Sequence, residues 1–115
     1  MSRDAYVYLM TNKRNTVLYI GVTNDLVRRV AEHKLGLQRG FTQRYQCTKL
    51  VHFEADDSIV AAIQREKQLK NWRRAWKDEL VTSTNPSWTD LGPDIGVTPE
   101  ILALVARRDP GASPG

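Results

Sequence analysis

The 115-residue chain is predicted to fold as a small α/β protein of the α+β kind, a three-stranded mixed or antiparallel sheet flanked by helices. Three observations lead there. Two short β-prone runs, residues 5–10 (AYVYLM) and 16–21 (TVLYIG), flank the turn-rich stretch TNKRN. A third such run, KLVHFE, occupies residues 49–54. Segments with apolar residues at helical spacing follow the second and third runs, which gives the order β-β-α-β-α-α.

The first two runs read as a hairpin. Whether its loop is Asn12–Asn15 or only Lys13–Arg14, the hairpin is centred between Lys13 and Arg14, and Tyr8 then lies directly opposite Tyr19. An odd-length loop would make the pair diagonal, still within reach of aromatic rings. Side chains alternate along a strand, so Tyr6, Tyr8, Val17, Tyr19 and Gly21 share one face. Val7, Leu9, Leu18 and Ile20 share the other, the expected core face, which leaves the phenols converging on a patch away from it.

The first helix starts at once, with Thr23 or Asn24 as N-cap and Asp25 suited to the positive end of the helix dipole. Leu26, Val30 and Leu37 form its apolar stripe, and Arg29 and His33, four residues apart, stack on the edge of that stripe. Gly36 and Gly40 bracket a loop that GFTQRYQC, residues 40–47, continues. After Asp56 or Asp57 as cap, a helical stretch runs to about Val81 with a potential break at Asn71. Ile59, Ile63 and Lys70 share one side of it, with Ala62 and Leu69 near the edge and Glu66 as the one acid on that inward stripe. A carboxylate there needs a cation, a metal or hydrogen-bond donors. Lys67, Lys70, Arg74 and Lys77 form a basic stripe, with Trp72 and Trp76 interleaved. Thr98 caps a last short helix, about residues 98–108, with Pro99 at its first position, and DPGASPG reads as a loose tail.

Composition sets the outer bounds. With 41% hydrophobic residues the chain supplies one modest core. A single cysteine, Cys47, excludes an internal disulfide and fits a reducing, cytoplasmic setting. The first ten residues, MSRDAYVYLM, have no long apolar stretch and no small-residue cleavage site, so neither a signal peptide nor a membrane span is expected there. A net charge of +4 permits a polyanionic partner without establishing one.

The ordered set of a tyrosine, eleven residues, Tyr-Ile-Gly, then Arg29, His33, a lone helical Glu66 and Asn85 resembles the GIY-YIG nuclease superfamily. The likeness is to its small stand-alone bacterial members, related to the N-terminal nuclease domain of the bacterial excinuclease. Tyr6-Val7-Tyr8 stands at the first motif and Tyr19-Ile20-Gly21 is the second motif intact. NDLVRRVAEHK is similar to the first helix, AIQREKQLKNWRR to the helix bearing the metal-binding Glu, and NPSWTDL to the closing segment, so the resemblance spans residues 5–91. It implies a nuclease domain over 1–91 and an extension over 92–115. Two departures stand out: Tyr6 replaces the first motif's glycine, and Val22 occupies the place of a lysine that follows Tyr-Ile-Gly in the excinuclease domain. His33 is a candidate to supply that lysine's help.

What the resemblance implies is a divalent-metal-dependent endonuclease acting on DNA, and a tyrosine as general base: Tyr8 or Tyr19, with Tyr8 favoured. Arg29 offers a permanent cation whose planar fork fits phosphate oxygens. Glu66 would hold one Mg²⁺ or Mn²⁺. A phenol with an ordinary pKa of about 10 needs nearby cations to act as a base: Arg29, the metal and protonated His33. Asn85 matches the family's asparagine, and Lys67, Lys70, Arg74 and Lys77 are expected on phosphates. Tyr8, Tyr19, Arg29, His33 and Glu66 are expected to line one concave surface.

Each residue also has a plainer reading. The tyrosines could be packing residues, and Arg29 could pair with Asp25. Glu66 could pair with Arg29 or Arg73, and Asn85 before Pro86 could start a turn. His52 and Cys47 lack zinc-ligand spacing. The competing functions are a nucleic-acid-binding module on the same fold with little catalysis, or an adaptor that uses exposed tryptophans. With no zinc finger, helix-turn-helix or long basic tail to read bases, cleavage guided by substrate structure or non-specific is expected, including single-stranded or branched DNA.

Overall fold

A computed structural model describes residues 5–108. The expected tail at residues 109–115 lies outside the described residues. Strands β1 (Ala5–Thr11), β2 (Leu18–Thr23) and β3 (Lys49–Asp56) form one antiparallel sheet in the order β2-β1-β3. The helices are α1 (Leu26–Lys34), the single turn α2 (Phe41–Arg44), α3 (Ile59–Lys70), α4 (Arg74–Thr84) and α5 (Pro99–Arg108). A short 3₁₀ turn, Pro93–Ile95, precedes α5. No helix among the described residues is long and apolar enough to cross a membrane.

The hairpin register differs from the expected one by two residues. Tyr8 pairs with Gly21 and Met10 with Tyr19, so the two tyrosines are diagonal neighbours. The cause lies in Asn12. Its Oδ1 accepts from the backbone N–H of Thr16 (2.9 Å) and Val17 (3.2 Å), and its Nδ2 donates to Thr16 Oγ1 (2.7 Å). Asn15 adopts a left-handed φ of 59°, which asparagine tolerates better than most residues. This side-chain-organised loop extends to Val17 and moves the hairpin centre. A shift of two preserves strand parity, so every side chain keeps its expected face.

Both faces of the sheet are core, which corrects the expectation of a tyrosine face turned away from it. Val7, Leu9 and Ile20 meet Ala62, Leu69 and Val81 from α3 and α4. Tyr8, Met10 and Leu50 meet Leu26, Val30 and Ala31 from α1, with Ile101, Leu102 and Val105 of α5 packed outside them. The β1–β3 register slips between Leu9 and Met10, where Leu9 pairs with His52 and Met10 with Leu50. Such a bulge lets two consecutive residues point the same way. Val51 joins the α3/α4 core, and neighbouring His52 reaches Thr84 of α4 (Nδ1 to Oγ1, 3.1 Å).

Helix starts fall one or two residues from the expected caps. Asp25, not Thr23 or Asn24, caps α1 by accepting from Arg28 N–H (3.2 Å), while Thr23 Oγ1 accepts from Asp25 N–H (3.0 Å). Ser58, not Asp56 or Asp57, caps α3 by accepting from Ala61 N–H (3.1 Å). Thr98 Oγ1 accepts from Ile101 N–H at the start of α5, as expected (3.2 Å). The inward stripe of α3 is Ala62 and Leu69, while Ile59 and Ile63 are exposed. Helix α3 ends at Lys70, with Asn71 as its C-cap.

Candidate active site

Tyr8 is fully buried between the sheet and α1, and Gly21 makes room for it. A Cβ at position 21 would lie 2.5 Å from both Cζ and Oη of Tyr8, so the phenol rests across a bare backbone on the neighbouring strand. That is the physical reason for glycine in the Tyr-Ile-Gly run. Gly21→Ala is expected to displace the ring and to cost about 1–3 kcal/mol, as overpacking in a close-packed core does. Urea unfolding measures this; an unperturbed alanine variant would show that the ring has slack the structure denies it.

Three side chains gather around Tyr8. His33, 3% exposed, places Nε2 2.9 Å from Tyr8 Oη. Arg29 donates from Nη1 to Tyr8 Oη and to the Val22 carbonyl, both at 3.5 Å. Tyr19, only partly buried, covers the group, with its ring centroid 6.2 Å from Tyr8 and 5.5 Å from His33. Helix α1 presents Arg29 and His33 one turn apart on the side facing β1 and β2, as the four-residue spacing requires. Arg29 pairs with Glu32 (3.4 Å) rather than with Asp25.

The electrostatics assign protonation states. Burial pushes the Tyr8 hydroxyl well above the usual phenol range, against the pull of the Arg29 hydrogen bond, and nearby Tyr19 adds to the rise. Burial, helped by the Arg29 cation, lowers His33 to about 4. His33 is therefore neutral at pH 7, so the help expected from a protonated imidazole is not available in the free protein; Arg29 is the cation beside Tyr8. His33 Nδ1 is buried without a protein hydrogen-bond partner. Such an orphaned polar atom costs stability and calls for a reason other than packing.

Glu66 and Asn85 sit elsewhere. Helix α3 packs on the sheet face opposite the tyrosines. Arg65 leaves one flank of α3 to bond Glu54 of β3 (2.8 and 3.2 Å). Glu66 is on the other flank, toward the free edge at β2, and its carboxylate pairs with Lys70 (3.3 Å) rather than with Arg29 or Arg73. Arg29 approaches the same edge strand from the tyrosine side through Val22. Four of the expected residues thus meet on one face of the sheet, with Tyr8 and His33 buried, and Glu66 lies on the helix packed against the other face, so the single concave surface expected for all five does not form. Asn85, 6% exposed, donates to the carbonyls of Val51 (3.1 Å) and Thr89 (2.9 Å) and accepts from Thr89 N–H and Oγ1. Its amide ties the end of α4 to β3.

The basic stripe is divided by the helix break. Arg74 binds the carbonyls of Asn15 (2.9 Å) and Thr16 (3.0 Å) in the hairpin loop, and Asp78 (2.7 Å). Lys70 is held by Glu66, which leaves Lys67 and Lys77 without an ion pair among the described residues. Two features escaped the sequence reading: the packing role of Gly21, and an exposed aromatic pair, Phe41 and Tyr45, in the stretch read as a loop. Their i, i+4 spacing was the available signal.

An antiparallel three-stranded sheet between helices, with a Tyr-Ile-Gly hairpin, an arginine and a histidine meeting at one phenol, is a nuclease-type arrangement. A family model described as the GIY-YIG catalytic domain matches residues 4–79. The chain belongs to the GIY-YIG family. It is similar to a UPF0213 protein of Natronomonas pharaonis, 43% identical over 81 residues that cover 70% of this chain and 94% of the relative. A UPF0213 protein of Haloquadratum walsbyi is 39% identical over 75 residues, covering 65% and 83%. The solution NMR structure of the UPF0213 protein from Bacillus halodurans aligns with a TM-score of 0.49 at 26% identity, covering 82% of this chain and 98% of that one.

Proposed function

We propose that this chain is a divalent-metal-dependent endonuclease that hydrolyses DNA phosphodiester bonds according to substrate structure, or without sequence preference, in a reducing, cytoplasmic setting. The nuclease unit is residues 1–91, and the segment from 92 adds α5 against α1. The observation that carries this reading is the buried Tyr8, bonded to a neutral His33 with an unsatisfied Nδ1 and to a permanently charged Arg29. Packing alone requires none of that polarity.

Tyr8 is the general base and does not ionise in advance. As its Oη takes a proton from the attacking water, its own proton passes along the 2.9 Å hydrogen bond to His33 Nε2. Tyr8 is fully buried with the Tyr19 ring beside it, so this step requires the attacking water to reach Oη past that ring. An incoming phosphate favours the imidazolium that results. Arg29 turns its fork to the non-bridging oxygens, where charge grows as the bond breaks.

The donor set decides which metal site fits. Among the described residues no three His, Cys, Asp or Glu side chains cluster, so a closed cage does not fit. A hydrated Mg²⁺ or Mn²⁺ on one carboxylate does fit. Glu66 would hold it, since its Lys70 partner is a half-exposed i, i+4 contact that a dication displaces at little cost. Bound there, the ion would polarise the phosphate and stabilise the leaving oxygen. This reading requires the site to reach around the β2 edge, from Arg29 on one side of the sheet to Glu66 on the other. Asn85 supports it by holding α4 to β3.

Purified protein is expected to cleave DNA with Mg²⁺ and to stop in EDTA. Binding that persists without any cleavage would support the binding-module reading. Lys67 and Lys77 are the residues of the basic stripe proposed to meet phosphates without first breaking an ion pair. Changing both to Ala is expected to weaken binding alike on all sequences and to reduce the log–log salt slope by about 1–2 units. An unchanged slope would make them ordinary solvated lysines.

A further inference from the structure

We infer that Phe41 and Tyr45 form a ledge on which an unpaired nucleobase stacks, so that the preferred substrate is single-stranded DNA; this rests on the nuclease reading above. The rings form a continuous series outward from the site. Tyr8 lies 6.2 Å from Tyr19, Tyr19 stacks on Phe41 at 6.2 Å with planes 29° apart, and Phe41 meets Tyr45 at 4.7 Å. The two outer rings are 46% and 41% exposed, on a single helical turn. Rings in that position contribute little to a core. They border an open cleft of about 580 Å³ shared with Gly40, Gln43 and Arg44.

Charge identifies the occupant. No acidic residue occurs from His33 to Phe53, a stretch that carries Lys34, Arg39, Arg44 and Lys49. Arg39 and Arg44 are exposed, and the Arg44 guanidinium sits 5.5 Å from the Tyr45 ring centre. Aromatic faces beside cations that track a backbone are the chemistry of single-strand binding. A duplex cannot use the ledge, because its base faces are already covered by neighbouring bases. Through Tyr19 the ledge adjoins Tyr8, so a strand stacked on it lies alongside the site.

The test is fluorescence anisotropy in EDTA with a labelled single-stranded oligonucleotide and the matching duplex. The paired replacements Phe41→Ala with Tyr45→Ala, and Phe41→Leu with Tyr45→Leu, are compared with the unaltered chain. The leucines keep apolar bulk and remove the ring faces. Both variants are expected to lose at least about fivefold in single-strand affinity, the low end of base–aromatic stacking, and less than about twofold on duplex. Unchanged single-strand affinity, equal losses on both probes, or full rescue by leucine would overturn the ledge. Binding to neither probe by the unaltered chain would overturn ledge and nuclease reading together. Ledge-dependent binding without cleavage in Mg²⁺ would overturn only the nuclease reading.

Discussion

Glu66→Gln is expected to fold normally and to lose at least about 10²-fold in Mg²⁺-dependent cleavage, on the order of 3 kcal/mol of transition-state stabilisation. The structural cost is small because of what Glu66 touches. Its partner Lys70 is 55% exposed at the side chain and one turn along the same helix, and such pairs contribute about 0.3–0.5 kcal/mol. Thermal unfolding should therefore shift by no more than about 3 °C. The catalytic cost is large because an amide lacks the charge that attracts a dication. Binding in EDTA should be unchanged or slightly tighter, with one anion removed near the phosphate. Arg29→Ala should reduce cleavage on a similar scale by another route, losing the cation aimed at the non-bridging oxygens. Single-turnover cleavage and thermal unfolding on the same preparations separate the readings. A destabilised but fully active Glu66→Gln protein would make Glu66 a structural ion-pair partner and remove the metal assignment.

The parts of the site that were legible in the sequence are those fixed by local periodicity. Strand alternation placed Tyr8, Tyr19 and Gly21 on one face for any even shift of the hairpin register, and helical spacing placed Arg29 beside His33. The register itself was not legible, because it depends on Asn12 spending its side chain on two backbone amides beyond the expected turn. The second buried face was missed for a related reason. Tyrosines read as amphipathic, yet Tyr8 is wholly enclosed, its hydroxyl satisfied by His33 from another element. The side of the sheet on which α3 packs depends on tertiary layering, to which sequence spacing is blind. Within α3, Ala62 and Leu69 outcompete the more conspicuous Ile59 and Ile63 for the sheet because they lie on the line between the Arg65 and Glu66 flanks. Asn85 shows the opposite limit: the resemblance marked the residue, while only the structure shows its amide tying α4 to β3.

Lowering the pH from 7.5 to 5 is expected to cost the protein about 2 kcal/mol of stability through His33 alone. The folded state holds His33 near 4, whereas an unfolded chain returns it to about 6.5. The unfolded state therefore binds the proton first as pH falls. Stability is fully present above about 6.5, declines through the interval down to about 4, and levels off below it, for a total of about 3 kcal/mol. Glu54 acts in a separate window. Its hydrogen bond from His52, working against burial and joined by Arg65, lowers it to about 2, so its contribution is lost between about 4.5 and 2. At the alkaline end the raised phenol of Tyr8 works the other way, and its contribution disappears as pH rises past the ordinary phenol value. Urea unfolding at pH 7.5, 6 and 5 isolates the His33 interval from both. His33→Gln keeps a polar group facing Tyr8 but cannot titrate, so its stability should stay nearly level over the range where the unaltered chain falls. Parallel pH profiles for the two proteins would mean that His33 is not held neutral, and the proton path from Tyr8 would then lack its acceptor.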